Sequence, residues 1–158
     1  MSKVAKIVFG DRVGRDAIIK IGCSAVIFDE NRQKVLLTQR EDNKQWCLPS
    51  GGMEPGETAS EACIREVWEE TGLHVKITRL VGVYSTPNEI VVRDDGTRHQ
   101  LVAICFEAAI TGGTLGLSDE TLAFGYFSRE EIAGMDMLAN QVRRIHDAWK
   151  GLAEVLVE

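Results

Sequence analysis

Residues 51–73, GGMEPGETASEACIREVWEETGL, concentrate the side chains able to do chemistry. Stepped at about 100° per residue from Glu66, Glu69 falls near −60° and Glu70 near +40°, so three carboxylates share about 100° of one helix face. Ionised together they repel one another. A structure that keeps them together needs a cation nearby. Hard divalent ions take oxygen ligands, and Mg²⁺ is the usual one at phosphate sites. Such an ion links carboxylates to phosphate oxygens and acidifies a bound water. Arg65, about 100° round the helix from Glu66, is placed to pin a glutamate by a charge-assisted hydrogen bond. Three glutamates alone also fit a solvated acidic helix surface.

The elements that must position these groups are legible around them. Thr58 and Glu61 form a capping box at the start of the helix, and Gly72 stands where a left-handed cap would end it. Ala59, Ala62 and Cys63 are small and share the carboxylate arc, whereas Ile64, Val67 and Trp68 point the other way, toward an expected core. Ser50-Gly51-Gly52 and Pro55-Gly56 break the chain ahead of the helix. The glycines let the backbone approach a ligand or the helix closely.

Farther out, residues 17–28 read as a strand and residues 29–33 as a turn. Lys34–Arg40 reads as the hairpin partner of that first strand. Trp46-Cys47-Leu48 is a short apolar piece stopped by Pro49. Strands are expected at 75–84, 101–110 and 122–127, with a hairpin turn at Asp94-Asp95-Gly96. Ser128 and Glu131 form a second capping box, and residues 136–149 read as a terminal amphipathic helix. The order implies an α+β fold with mixed strand pairing packed between helices, not regular βαβ alternation.

Composition bounds the function. The 158 residues suit one domain, and 44% apolar with 27% charged residues is ordinary for a globular chain. The net charge of −6 argues against coating a nucleic-acid backbone, though a small phosphorylated ligand needs only a few local cations or a metal. No apolar run reaches the ~20 residues of a membrane span. The opening MSKVAKIVFGDRVGRD has no long apolar stretch, so a secretory signal is not expected. Cys23, Cys47, Cys63 and Cys105 lie far apart, with no zinc-type spacing. They read as buried reduced thiols of a cytoplasmic protein.

The full spacing of the central segment is more specific than its charges. Gly51, five residues, Glu57, seven residues, Arg65-Glu66-Val67, one residue, Glu69-Glu70, one residue, Gly72-Leu73 resembles the Nudix box, G-x5-E-x7-R-E-U-x-E-E-x-G-U, at every position. The W-x-L-P before it, the Val-Tyr-Ser-x-Pro after it and the later Gly112-Gly113 resemble the family's surroundings, and the resemblance spans residues 18–150. It implies an α/β/α sandwich around a mixed sheet, one Nudix hydrolase domain over 1–158 with residues 1–17 as an N-terminal extension, and hydrolysis of a pyrophosphate bond in a nucleoside diphosphate linked to another group.

The resemblance also implies roles. Glu66, Glu69 and Glu70 resemble the glutamates that hold Mg²⁺, or Mn²⁺. Glu57 resembles the loop glutamate supporting them, and Arg65 the arginine that orients a glutamate. Gly51 and Gly52 would be geometric and border the substrate. The general base is Glu66 or a downstream glutamate. Related chains often carry that glutamate where Ala123 stands here, which leaves Glu120 as the nearest substitute. Ser50 replaces a frequent glycine. Arg40, Trp46, Tyr84 and Pro87 are the substrate-contact candidates. For Arg40 a surface ion pair, and for Trp46 a core position, are the competing readings. His74, His99 and His146 show no metal-type spacing. A small nucleotide substrate such as ADP-ribose is implied, with an oxidised nucleoside triphosphate, a dinucleoside polyphosphate or a non-catalytic nucleotide-sensing module as alternatives. The expected partners include neither a membrane nor long nucleic acid, and a homodimer is possible.

Overall fold

The computed structural model describes residues 6–151 and 154–157. Residues 1–5 of the expected N-terminal extension lie outside the described residues. In chain order the elements are β1 (Lys6–Phe9), a 3-10 turn (Val13–Asp16), β2 (Ile18–Val26), β3 (Lys34–Arg40), β4 (Trp46–Cys47), β5 (Ser50–Gly52), α1 (Ala59–Thr71), β6 (Leu73–Ser85), β7 (Glu89–Val92), β8 (Arg98–Gly113), β9 (Thr121–Ser128), α2 (Arg129–Ala133), α3 (Ala139–Lys150) and β10 (Leu156–Val157).

The larger sheet runs β1-β7-β8-β2-β5, with β6 also paired to β8 and β10 to β6. It is mixed: β2 lies parallel to β8, from Ile18↔His99 to Val26↔Glu107, whereas β6 and β7 are antiparallel to β8. The smaller sheet is β4-β3-β9. Side chains alternate across a strand, so one sheet feeds two cores. Cys23, Ala25, Ile27, Phe106 and Ala108 meet Ala62, Cys63 and Val67 of α1. Val26, Cys105 and Val81 meet Ile145 and Ala148 of α3 on the other face. Helices thus cover both faces, in an α+β architecture of sandwich type. No helix among the described residues is long and apolar enough to cross a membrane.

Three expectations change. Lys34–Arg40 forms a strand, but its hairpin with the first strand is short: the Phe28↔Val35 bridge, with the Leu36 N–H on the Ile27 carbonyl at 2.9 Å and the Asp29 N–H on the Lys34 carbonyl at 3.0 Å, before β3 turns away to pair with β9 and β4. Val35, Leu36 and Leu37 are all fully buried, Leu36 in the α1 core and the other two in the α3 core. A strand buried on both faces lies between the two cores rather than extending the half-exposed hairpin. Ser50-Gly51-Gly52, expected only as a breaker, forms β5, pairing antiparallel with β2 through Gly52↔Gly22, Gly51↔Cys23 and Ser50↔Ser24.

The third change is the facing of α1. Val67 is buried, but Trp68 is 52% exposed and stacks on His74, while Ala62 and Cys63 are fully buried. The buried stripe is Ala62, Cys63, Val67 and Thr71. On the helical wheel that stripe includes the angles of Glu66 and Glu70. The carboxylates therefore stand at the edge of the core and not opposite it. Small residues are required there because α1 lies close against the sheet. Both halves of the Thr58/Glu61 capping box form, and Gly72 ends the helix at φ 76°, a left-handed conformation suited to glycine.

Candidate active site

β5 and α1 build the site between them. A Cβ on Gly51 would lie 2.1 Å from Cδ of Glu66 and 2.3 Å from both its carboxylate oxygens. Only a bare backbone lets the Glu66 carboxylate rest there. Arg65 gathers the acidic groups: its Nε and Nη2 donate to the two oxygens of Glu57, its Nη1 donates to Glu66 (2.8 Å) and Glu69 (3.3 Å), and Nη2 also reaches the carbonyl of Gly52 (3.0 Å). Glu57 also accepts from the Glu54 N–H at 2.9 Å, which fixes the loop before the helix. The Arg65 bonds hold the Glu57 carboxyl below the usual carboxylate range.

Among the described residues, the Glu70 carboxylate has no such partner. It accepts one hydrogen bond, from the Ser50 N–H at 3.2 Å. Burial pushes its carboxyl up to about 8, with Glu66 and Glu120 adding and the Ser50 N–H and Arg40 opposing. Burial raises Glu66 as well, against the pull of Arg65. Ser50 is not among the residues with positive φ, so serine fits where glycine was anticipated, and its hydroxyl receives Nε2 of Gln141 at 3.3 Å.

Two hollows adjoin this edge. A small one of about 210 Å³ is lined by Thr38, Arg40, Asp42, Cys47, Glu70 and Glu120. It brings the predicted Glu120 to the carboxylates, while Ala123 lies in the β3–β9 ladder opposite Gln39. A larger cleft of about 530 Å³ runs over the β2–β8 surface from Ser50, Gly51 and Gly52, within the usual size range of small-molecule sites. Arg40 and Asp42 border both hollows. Arg40 grips Asp42 in a bidentate pair, Nε to Oδ1 at 2.9 Å and Nη2 to Oδ2 at 2.6 Å.

The other substrate-contact candidates lie elsewhere. Trp46 packs edge-on against Phe127 at 4.9 Å, in the core under α3. Tyr84 donates its hydroxyl to Asp147 at 2.8 Å. The carbonyl of Pro87 accepts the Gly14 N–H at 2.9 Å and anchors the 3-10 turn. None of the three borders the large cleft. Trp46 and Tyr84 are engaged by these side-chain contacts, and Pro87 by its carbonyl.

The cleft is lined instead by Lys20, Ser24, His99, Asn140 and Arg144 among others. Sequence reasoning missed them. The available signal was spacing: Asn140 and Arg144 share a helix face at i,i+4, and Lys20 and Ser24 share a strand face. Burial lowers the Lys20 pKa, with Arg93 adding to the effect, and burial lowers that of His99, with Lys20 and Arg93 adding. Lys20, Arg93 and Arg144 nonetheless edge the cleft with basic side chains in an acidic chain.

A NUDIX domain family model matches residues 19–149. The chain belongs to the Nudix family. As a Nudix protein it is a hydrolase acting on pyrophosphate bonds. It is 32% identical over 137 residues to a Bacillus subtilis (strain 168) protein, with 86% of this chain and 84% of that one aligned. An ADP-ribose pyrophosphatase of Methanocaldococcus jannaschii is 32% identical over 124 residues, spanning 77% of this chain and 70% of that protein. A solved Nudix hydrolase from Nitrosomonas europaea superposes with a TM-score of 0.69 at 25% identity, covering 85% of this chain and 90% of that one.

Nudix hydrolases generally use divalent metals such as Mg²⁺. The residues here suit such an ion in type: oxygen donors, two of them with pKa values raised by burial, over a glycine cradle. Among the described residues, no three His, Cys, Asp or Glu side chains converge on one point. Arg65 holds Glu57, Glu66 and Glu69 by hydrogen bonds.

Proposed function

We propose that this Nudix chain hydrolyses the pyrophosphate bond of a nucleotide lying along the β2–β8 cleft, with Mg²⁺ or Mn²⁺ held by Glu66, Glu69 and Glu70. A divalent ion there supplies charge neutralisation at the phosphates and a more acidic water. Glu57 and Arg65 act on the geometry: the bidentate pair anchors the loop to α1, and the remaining arm of Arg65 steers Glu66 and Glu69. Lys20 and Arg40, at the cleft walls, offer cations to phosphate oxygens. Glu120, beside Glu70 in the small hollow, is the candidate to take the proton from the attacking water, and Glu66 is the alternative.

The observation that carries this reading is Glu70: a carboxylate at the edge of the core, raised by burial and lacking an ion-pair partner, between the nucleotide-sized cleft and Glu120. The test is a hydrolysis screen over nucleotide classes in Mg²⁺, with ADP-ribose, nucleoside triphosphates and dinucleoside polyphosphates included, alongside calorimetric titration of Mn²⁺. Turnover and Mn²⁺ binding should both fall in Glu70→Gln. Unchanged Mn²⁺ binding in that variant would remove Glu70 from the metal site. Tight nucleotide binding with no turnover would mark a sensing module instead.

A further inference from the structure

Among the described residues, the Glu70 carboxylate accepts its hydrogen bond from the Ser50 N–H, and what fixes Ser50 comes from α3. Gln141, in the first turn of that helix, is 4% exposed and commits both ends of its amide to the segment leading into β5. Its Oε1 accepts the buried Leu48 N–H at 2.6 Å, and its Nε2 donates to the Ser50 hydroxyl at 3.3 Å. Pro49, between them, has no N–H to offer, and its carbonyl accepts the Ala25 N–H at 3.0 Å. Residues 48–50 are thus held by β2 through Pro49 and by α3 through its two neighbours.

Two features set this contact apart from ordinary helix packing. A glutamine at the third position of a helix commonly reaches back to the N–H of its own N-cap. Here α3 starts behind Leu138, a cap with no side-chain hydrogen bond, and the Gln141 side chain serves Leu48 and Ser50 instead. The Leu138 N–H is met by the Trp46 carbonyl at 2.9 Å and the Trp46 N–H by the Asp136 carbonyl at 2.8 Å, so the chain ahead of α3 is laddered to the chain ahead of β5. The second feature is Ser50 itself. Glycine, the frequent residue there in related chains, would leave Gln141 Nε2 without its hydroxyl. The Gln141–Ser50 link therefore belongs to this chain and not to the box.

We propose that Gln141 is a positioning residue for the metal site, acting through Ser50 to hold the Glu70 carboxylate in place for a divalent ion. The proposal rests on Glu70 being a metal ligand. Calorimetric titration of Mn²⁺ into the substrate-free protein tests it, with Glu70→Gln as the reference. Gln141→Met keeps the volume without the amide, and should bind Mn²⁺ at least about tenfold more weakly than wild type. Ser50→Ala removes one neutral hydrogen bond and leaves the Leu48 bond in place. It should weaken Mn²⁺ binding about fivefold, with an unchanged melting temperature in chelator. Gln141→Glu can accept from both the Leu48 N–H and the Ser50 hydroxyl, and should bind Mn²⁺ as wild type does or tighter. Hydrogen exchange at the Ser50 amide should quicken in Gln141→Met and Ser50→Ala but not in Gln141→Glu, a pattern that a role confined to seating α3 would not produce. Wild-type Mn²⁺ affinity in Ser50→Ala overturns the proposal even if Gln141→Met fails to fold, and so does Gln141→Glu weakening as far as Gln141→Met. If Glu70→Gln loses Mn²⁺ while the Ser50 and Gln141 variants keep it, this inference alone fails. If Glu70→Gln binds Mn²⁺ as wild type does, Glu70 is no ligand, and the inference falls together with the reading beneath it.

Discussion

Glu70 and Glu107 are both glutamates set against the core, and they end in opposite states. Burial pushes Glu107 up too, but hydrogen bonds from Arg32 and from Arg79 (2.7 Å to Nε) outweigh it, and its carboxyl lies below the usual range. Arg79 continues to the carbonyl of Ala148 at 3.2 Å, tying β6 and β8 to α3. Glu70 receives one backbone N–H and remains up at about 8. The contrast separates a carboxylate that holds the fold from one that the fold leaves under-compensated. Burial is common to both; the supply of counter-charge distinguishes them.

The strongest test of that contrast is Glu70→Gln, which should cost at least about a hundredfold in turnover without lowering the melting temperature in chelator. A marked loss of stability would make Glu70 a structural carboxylate like Glu107. Next, Glu107→Ala should destabilise by about 2 kcal/mol in denaturant titration, short of the full cost of breaking a buried pair because Arg32 is half exposed. Turnover at saturating substrate should be retained. Gly51→Ala sharpens the comparison from the backbone side. The new methyl evicts the Glu66 carboxylate, and about a tenfold loss of kcat is expected with the fold intact by circular dichroism.

The smallest effect is on pH-dependent stability, and the two glutamates have opposite signs. Glu70, raised to about 8 in the folded protein from 4.5, favours folding fully only below about pH 4.5, and that contribution is lost as pH rises through 8. Glu107, lowered from 4.5, contributes above that value and loses its contribution as pH falls through its depressed pKa. Melting curves in chelator should show Glu70→Gln gaining on wild type as pH rises from 4.5 to about 8, and Glu107→Gln losing least, relative to wild type, at the acid end.

The box from Gly51 to Leu73 made the acidic centre legible, because its chemistry depends on spacing along one helix. Both capping boxes were legible for the same local reason. The facing of α1 was not: Trp68 reads as core by type, but the sheet approaches closely enough to admit only Ala62 and Cys63. β5 was missed because Ser-Gly-Gly has no side-chain alternation to read; its strand character comes from pairing with β2. The cleft floor was missed because Asn140 and Arg144 look like the polar face of an amphipathic helix. Nothing local distinguishes a polar residue facing water from one facing a cavity.

Gly51 has a consequence for the order of folding. α1 can form early, since its caps and turns are local, and such a helix already carries Glu66, Glu69 and Glu70. The backbone on which Glu66 rests belongs to β5, whose place depends on pairing with β2, while β2 in turn pairs with β8 from the far side of β3 through β7 in the chain. Contacts so distant in sequence close late, after the entropy of the intervening loops has been overcome. An intermediate can therefore be largely helical at α1 and still lack the cradle, and catalytic competence should be among the last properties a refolding chain recovers.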